Sequence, residues 1–233
     1  MTRRRWIADE AAGDVAALTG QNAMHLARVL RARVGQEFDI AAGERVRRGR
    51  IISVAEDRVE LALGNDVAAC EALPITLYLA IFKFDRFEWA VEKCTELAVA
   101  RIIPIIARRT EAHLVQASVR RIERWRKIAR EAAQQARTGA APEIAEPMKL
   151  KAAIQSATAV RIVLAENERQ VMLRDVLASE PLSLAIGPEG GWTPEELAQF
   201  DAAGWKRASL GETILRAETA AIAAMAVAAA FGE

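Results

Sequence analysis

Four short apolar runs constrain this chain more than any other feature. They are ITLYLAI (75–81), RIIPIIA (101–107), RIVLA (161–165) and LSLAI (182–186). Each reads as a strand, and the first is a continuous apolar run with β-branched and aromatic members, as a buried parallel strand needs. Pro104 weakens or bulges the second. Between them the apolar spacing changes to that of a helix. Phe84, Phe87, Val91, Cys94 and Ala98 share one face, and residues 119–136 form a second helix. Thr193-Pro194-Glu195-Glu196 is a helix start with an N-cap Thr, Pro at the first position and Glu three residues on. Gly204 stops that helix. A short strand at Ala208–Leu210 then precedes a last helix from about residue 217. Strand and helix in alternation predict an α/β domain over 74–233 with a mainly parallel sheet.

The first 70 residues follow another pattern. Phe38–Ile40, Val46–Val54 and Val59–Leu63 are β-type runs broken at Ala42-Gly43 and Glu56-Asp57, which suit hairpins. A short helix over MHLARVLRA precedes them. A small β-barrel or twisted sheet over residues 1–70 is expected, with Asn65–Pro74 as linker.

Composition narrows the class. The chain has 233 residues, 52% hydrophobic and 27% charged, enough apolar material for a core and too much for a disordered chain. Thirty-two basic against 31 acidic side chains leave a net charge of +1, so bulk charge does not mark a nucleic-acid binder. Only Lys83, Lys93, Lys127, Lys149, Lys151 and Lys206 are lysines, and the other basic residues are arginines, which suit phosphate and carboxylate forks. Cys70 and Cys94 make neither a disulfide framework nor a zinc motif, so no metal and a reducing compartment are expected. The start MTRRRWIADE lacks the apolar stretch of a signal peptide. AAIAAMAVAAAF (220–231) is too short to span a bilayer. A cytoplasmic protein with no membrane partner is predicted.

In α/β folds ligands sit at the carboxyl ends of strands. Three such ends are unusual here: LAEN (164–167), IGPEGGWT (186–193) and LGETILRAETAA (210–221). Gly187, Gly190 and Gly191 let backbone approach a ligand closely, and the capped helix after them favours an anionic group. A tight strand-to-helix turn would also use glycine. Neither GxxxxGK[ST] nor GxGxxG occurs, which excludes a P-loop and argues against a standard dinucleotide site.

Taken together these stretches are similar to the RsmE family, small-subunit (16S) ribosomal RNA uridine-N3 methyltransferases of the SPOUT superfamily. IGPEGG before a [ST]xxE helix start and LGxxILRxETA some twenty residues on carry the resemblance. His25, Arg28, Val29, Leu30 and Arg31 match the family's opening PUA-like module. EKCTELAVARIIPIIARRT (92–110) looks like its KxxELGxxxIxPxxxxRS segment, and EAAQQARTGAAPEI (131–144) like EAxEQxxRxxxPxI. Ala98 stands for the usual Gly, Gln134 for Glu, Glu212-Thr213 for a common Pro-Arg, and Arg137 is displaced by one position. The resemblance implies a SPOUT-type trefoil-knot methyltransferase domain behind a small PUA-like β-barrel, a homodimer, and S-adenosylmethionine as donor. It also implies that Leu164, Ala165 and Glu166, then Ile186, Gly187, Pro188, Glu189, Gly190 and Gly191, then Leu210, Gly211, Ile214 and Leu215 wrap the adenosine.

Uracil N3 carries a proton at neutral pH, so methylating it requires removing that proton, stabilising the anion and aligning N3 with the methyl carbon. Arg216 is the candidate charge stabiliser, with Glu189 and Glu218 as candidate bases. Arg216 as a surface ion-pair partner and Glu218 as a helix-dipole residue are the plainer readings. Two windows are locally basic. Arg28, Arg31, Arg33, Arg45, Arg47, Arg48 and Arg50 face only Glu37, Asp39 and Glu44. Arg120, Arg121, Arg124, Arg126, Lys127, Arg130 and Arg137 face only Glu123 and Glu131. Arg28, Arg31, Arg47, Arg48, Arg50 and Arg216 are the candidate RNA contacts, the 30S subunit or its RNA the expected partner. A solvated charged surface is the plainer alternative. A related SPOUT enzyme acting on tRNA or another base and a non-catalytic RNA-binding homologue are the competing functions. His25 reads as a packing residue, His113 has no supporting context, and Trp192 stands beside the glycine loop.

Overall fold

The structure, a computed structural model, describes residues 5–43, 45–157, 160–178 and 181–231. It divides into two compact units, Met1–Glu71 with Ala133–Ala141, and Ala72–Ala132 with Pro142–Glu233.

The first unit begins with β1 (Arg5–Ile7), β2 (Glu10–Ala12) and β3 (Val15–Thr19). A short helix α1 (Gly20–Met24) runs directly into a π-helical turn at His25–Val29, and β4 (Glu37–Ala42), β5 (Arg45–Val54) and β6 (Arg58–Asp66) follow. The six strands form one curled sheet, a half-barrel, in the order β1-β4-β5-β6-β3-β2. β1 to β3 had no counterpart in the sequence pattern because they are three to five residues long, and β2 and β3 are rich in alanine, which is depleted in strands. The sheet closes round Trp6, Leu18, Leu26, Ile40, Ile51, Val59 and Leu61. Gly49 sits where a Cβ would meet Ile40 Cγ1 at 2.4 Å, so only glycine lets β4 and β5 pack there. Buried Arg5 holds the 133–141 segment to this unit, donating to the carbonyls of Arg137, Thr138 and Ala68. Burial pulls the Arg5 guanidinium below its usual range, an effect that Asp39 opposes.

The second unit is a parallel sheet between two helical layers. In chain order it has β7 (Leu73–Ala80), α2 (Phe84–Glu96), β8 (Val99–Ile106), α3 (Ala112–Ser118), α4 (Ile122–Ala136), β9 (Glu143–Ile144) and β10 (Met148–Lys149). There follow α5 (Leu150–Ser156), β11 (Val160–Leu164), α6 (Leu173–Val176), β12 (Leu182–Ile186), α7 (Pro194–Ala202), β13 (Lys206–Ala208) and α8 (Ala217–Phe231). The sheet order is β10-β8-β7-β12-β11-β13, with β9 also on β8, and every pairing is parallel. Alternate residues of β7 feed the two faces. Ile75, Leu77 and Leu79 pack with Phe87, Trp125 and Met225 from α2, α4 and α8. Tyr78 and Ala80 pack with Ile154, Phe200 and Trp205 on the other side. Each fully buried leucine contributes about 1.5–3 kcal/mol.

Pro104 is tolerated for a topological reason. β8 meets β9 at Arg101 and Ile102 and β10 at Ile105 and Ile106, so Pro104 falls in the gap between two short edge strands. Its missing N–H costs no ladder bond. α2 buries Phe87, Ala90, Val91 and Cys94 at helical spacing but stops at Glu96. Ala98, expected on that helical face, instead turns the chain into β8 at φ +61°. Burial pushes the Cys94 thiol up to about 12, so it behaves as a core side chain.

Candidate active site

Three loops converge at the carboxyl ends of β11, β12 and β13. They close on a cavity of about 410 Å³, a size usual for small-molecule sites. The first expected loop supplies Leu164, Ala165 and Glu166; the second Ile186, Gly187, Pro188, Glu189 and Gly191; the third Leu210, Gly211, Ile214 and Leu215. Gly190, the remaining residue of the motif, is outside the lining. Its carbonyl accepts from the guanidinium of Arg109, which does line the cavity.

The glycine loop is built by its own hydrogen bonds. Gly191 N–H donates to Pro188 O at 2.8 Å, and Trp192 Nε1 donates to Leu164 O at 3.1 Å, linking the second loop to the first. Gly191 has φ +70°, and a Cβ there would lie 2.7 Å from Glu166 Oε1. The steric demand is therefore at Gly191. Gly190 has no positive φ, and a Cβ on it would meet only the Arg109 side chain, at 3.2 Å. At Gly187 a Cβ would press on the Trp192 indole at 3.2 Å. Thr193 and Glu196 complete the capping box that starts α7. Glu196, 4% exposed, also accepts the Arg108 N–H at 2.7 Å and so ties the end of β8 to this corner.

The third loop is looser. Ser209 Oγ and Gly211 exchange bonds at 3.0 and 3.2 Å, and Arg169 Nη1 reaches Glu212 O at 3.2 Å. Ile214 lines the cavity yet is 77% exposed. Arg216, at the end of this loop, is exposed and outside the lining. Of the two candidate bases Glu189 borders the cavity, whereas Glu218 is buried under the start of α8. Both meet Arg86 of α2, Glu189 at 2.6 Å and Glu218 at 3.8 Å. Arg86 and Arg109 are the residues that sequence reasoning missed. Arg109 lies inside the quoted ARRT stretch, but nothing in the spacing of Arg86 announces a contact with residues a hundred positions away.

Among the candidate RNA contacts several arginines are held by carboxylates of their own unit. Arg28 pairs with Glu56, Arg47 with Asp14 at 2.9 Å, and Arg48 with its cross-strand neighbour Asp39 at 3.1 Å. Arg31, at φ +50° just past the π-helical turn, and Arg50 are exposed. In the second basic window Arg121 and Arg124 share Glu88, and Arg126 reaches Glu123 and Glu146. His25 packs on Trp6, ring centroids 5.8 Å apart, while His113 is exposed beside Glu111. Among the described residues no group of three or more His, Cys, Asp or Glu is placed to hold a metal ion, and no helix is long and apolar enough to cross a membrane.

The chain that builds this cavity is similar to known proteins in sequence and in fold. A family model described as RNA methyltransferase domain matches residues 69–229. The ribosomal RNA small subunit methyltransferase E of Synechocystis sp. is 33% identical over 217 residues, covering 90% of this chain and 71% of that protein. A ribosomal RNA small subunit methyltransferase E from Neisseria gonorrhoeae, solved bound to S-adenosyl methionine, superposes with a TM-score of 0.84 at 27% identity, over 97% of this chain and 96% of that one. A methyltransferase structure from Legionella pneumophila, in complex with the bound cofactor SAM, gives 0.87 at 28% identity over 99% and 98%. The class is that of RNA methyltransferases. Within it, the chain belongs to the ribosomal RNA small subunit methyltransferase E family.

Proposed function

We propose that this chain transfers a methyl group from S-adenosylmethionine to N3 of a uridine in 16S ribosomal RNA, acting in the cytoplasm as a homodimer with the knotted C-terminal threading that its family resemblance implies. The observation that carries the reading is the convergence of the three loops on one cavity. The residues fit the donor. Leu164, Ile186, Ile214 and Leu215 give apolar walls for an adenine, backbone amides and carbonyls of the same loops can read its edge, and Gly191 leaves room that a side chain would fill. The donor, when bound, supplies an electrophilic methyl on a sulfonium.

The chain must supply the rest. Glu189, the motif carboxylate at the cavity, is assigned the N3 proton, and Arg216 the negative charge that develops on the uracil oxygens. A guanidinium is charged at every working pH, so that stabilisation costs no proton transfer. Arg31 and Arg50 of the first unit, with the paired Arg28, Arg47 and Arg48 around them, are assigned to RNA phosphates. The Ala-rich α8, with half-buried Ile222 and Val227 beside its buried stripe, supports close packing against a second copy.

Incubating the protein with labelled donor and small-subunit RNA, then mapping modified nucleosides by mass, tests this reading. The expected product is 3-methyluridine at one site. A methylated tRNA, a different base, or donor binding without transfer would overturn it. Glu189→Gln is expected to lower turnover, with partial recovery as pH rises, because more uracil is then deprotonated beforehand.

A further inference from the structure

Arg86 belongs to none of the three loops that form the cavity, yet it touches the acidic side chain of the second and the helix that follows the third. It lies in the first turn of α2. Its Nη1 donates to Glu189 Oε1 at 2.6 Å, and its Nε stands 3.8 Å from Glu218 Oε1. Glu189 is part of the glycine loop. Glu218 is the second residue of α8, immediately after the Leu210–Leu215 loop.

Burial decides how much this contact matters. Arg86 and Glu189 are each 32% exposed at the side chain, and a pair of that kind alone stabilises little. Glu218 differs. Its side chain is 4% exposed, and its Oε2 is buried with no hydrogen-bond partner among the described residues. A buried carboxylate with one unsatisfied oxygen depends on whatever positive charge stands near it, and removing that charge leaves it uncompensated.

We infer that Arg86 is a positioning residue of the donor site, a single cation that fixes the glycine loop and the start of α8 to one another through Glu189 and Glu218. The inference rests on the donor reading above, since the two walls it joins are those that would enclose the adenosine. Two carboxylates on two nitrogens of one planar fork suit arginine; a lysine ammonium is a single point and cannot hold both in the same geometry. Glu189, though part-exposed, thereby has a fixed place at the cavity, and the third loop, which has few bonds of its own, is anchored at its far end.

The test is calorimetric titration of the full-length protein with S-adenosylmethionine, comparing wild type, Arg86→Gln, Arg86→Lys and the double variant Arg86→Gln/Glu218→Gln, with thermal melts of each. Arg86→Gln should weaken donor binding at least about tenfold, equivalent to ~1.4 kcal/mol. Arg86→Lys should recover part of the loss. The double variant should melt closer to wild type than Arg86→Gln, because the uncompensated charge is gone, yet bind the donor no better, because the link between the glycine loop and α8 is still missing, a split that a merely structural role for Arg86 would not give. Should Arg86→Gln fail to fold, the comparison of Arg86→Lys with wild type decides, and equal affinity overturns the inference. Wild-type affinity in Arg86→Gln, or donor affinity that returns together with stability in the double variant, overturns it too. A wild-type protein that does not bind the donor would instead sink the functional reading on which it rests.

Discussion

Two walls of the same cavity are built in different ways. The Ile186–Trp192 wall is bonded to the protein along its length: Gly191 N–H to Pro188 O, Gly190 O to Arg109, Glu189 to Arg86, the Trp192 indole to Leu164 O. The Leu210–Leu215 wall is held by two bonds between Ser209 and Gly211 and one from Arg169 to Glu212, beyond a root where Ser209 bonds the backbones of Val171 and Leu173, and it shows Ile214 to solvent at 77% exposure. The first wall is complete before a ligand arrives. The second carries an exposed aliphatic side chain, and on the function proposed above the donor would cover it, so that its apolar contribution would be realised only on binding. Shape is therefore set by one side and closure by the other.

The sharpest way to break this comparison is Gly191→Val. A branched residue at φ +70°, with Glu166 Oε1 at 2.7 Å from its Cβ, should distort the built wall and abolish measurable donor binding in calorimetry while the protein still melts cooperatively. Retained affinity would show that the wall is not rigid. Arg216→Ala, at the end of the looser wall, should lower single-turnover rates by about 10²-fold, the scale of losing one oriented charge stabiliser, with little change in donor affinity. A normal rate would return Arg216 to the role of a surface cation. Ile214→Ala should weaken the donor roughly tenfold, consistent with losing ~1–2 kcal/mol of apolar cover. If affinity is unchanged, the ligand does not close over this wall.

The smallest expected effect is a control outside both walls. Ala98 holds φ +61°, a conformation that costs an L-residue about 1 kcal/mol relative to glycine. Ala98→Gly should therefore raise stability by up to about 1 kcal/mol, less the entropy glycine adds to the unfolded chain, and leave donor affinity alone. A fall in melting temperature would contradict the backbone-strain reading.

The same residues show how much of the molecule was legible in the sequence. The parallel strands were plain because both faces of β7 are buried, which leaves an unbroken apolar run. The cavity loops were plain because glycines and a helix cap crowd the ends of strands. Arg86 was not, since a charge on the first turn of an amphipathic helix looks the same whether it meets water or a distant carboxylate. The small strands β1 to β3, β9 and β10 were equally silent. Two to five residues carry too little periodicity, and partners far along the chain define them. The arginine-dense β5 was readable as basic, but the carboxylate that pairs with Arg47 is Asp14, outside that window, and Asp39, inside it, meets Arg48 only through the β4–β5 register, which composition does not reveal.

Arg5 is bonded to carbonyls 132 and 133 positions further on, and that span sets an order of events during synthesis. The half-barrel strands are complete when residue 66 has left the ribosome, but the segment that Arg5 grips emerges only after β7, α2, β8, α3 and most of α4 have been made. The amino-terminal unit must therefore wait, with a guanidinium it has not yet matched, while the first two of the second sheet's seven strands are translated. Closing so long a loop adds little to the entropic cost, because that cost grows only with the logarithm of length. It does delay the contact, which makes this long-range closure a late step in folding. A truncation after residue 70 would release a half-barrel lacking its last strip of backbone, and the rest of the chain would keep an orphaned helix end.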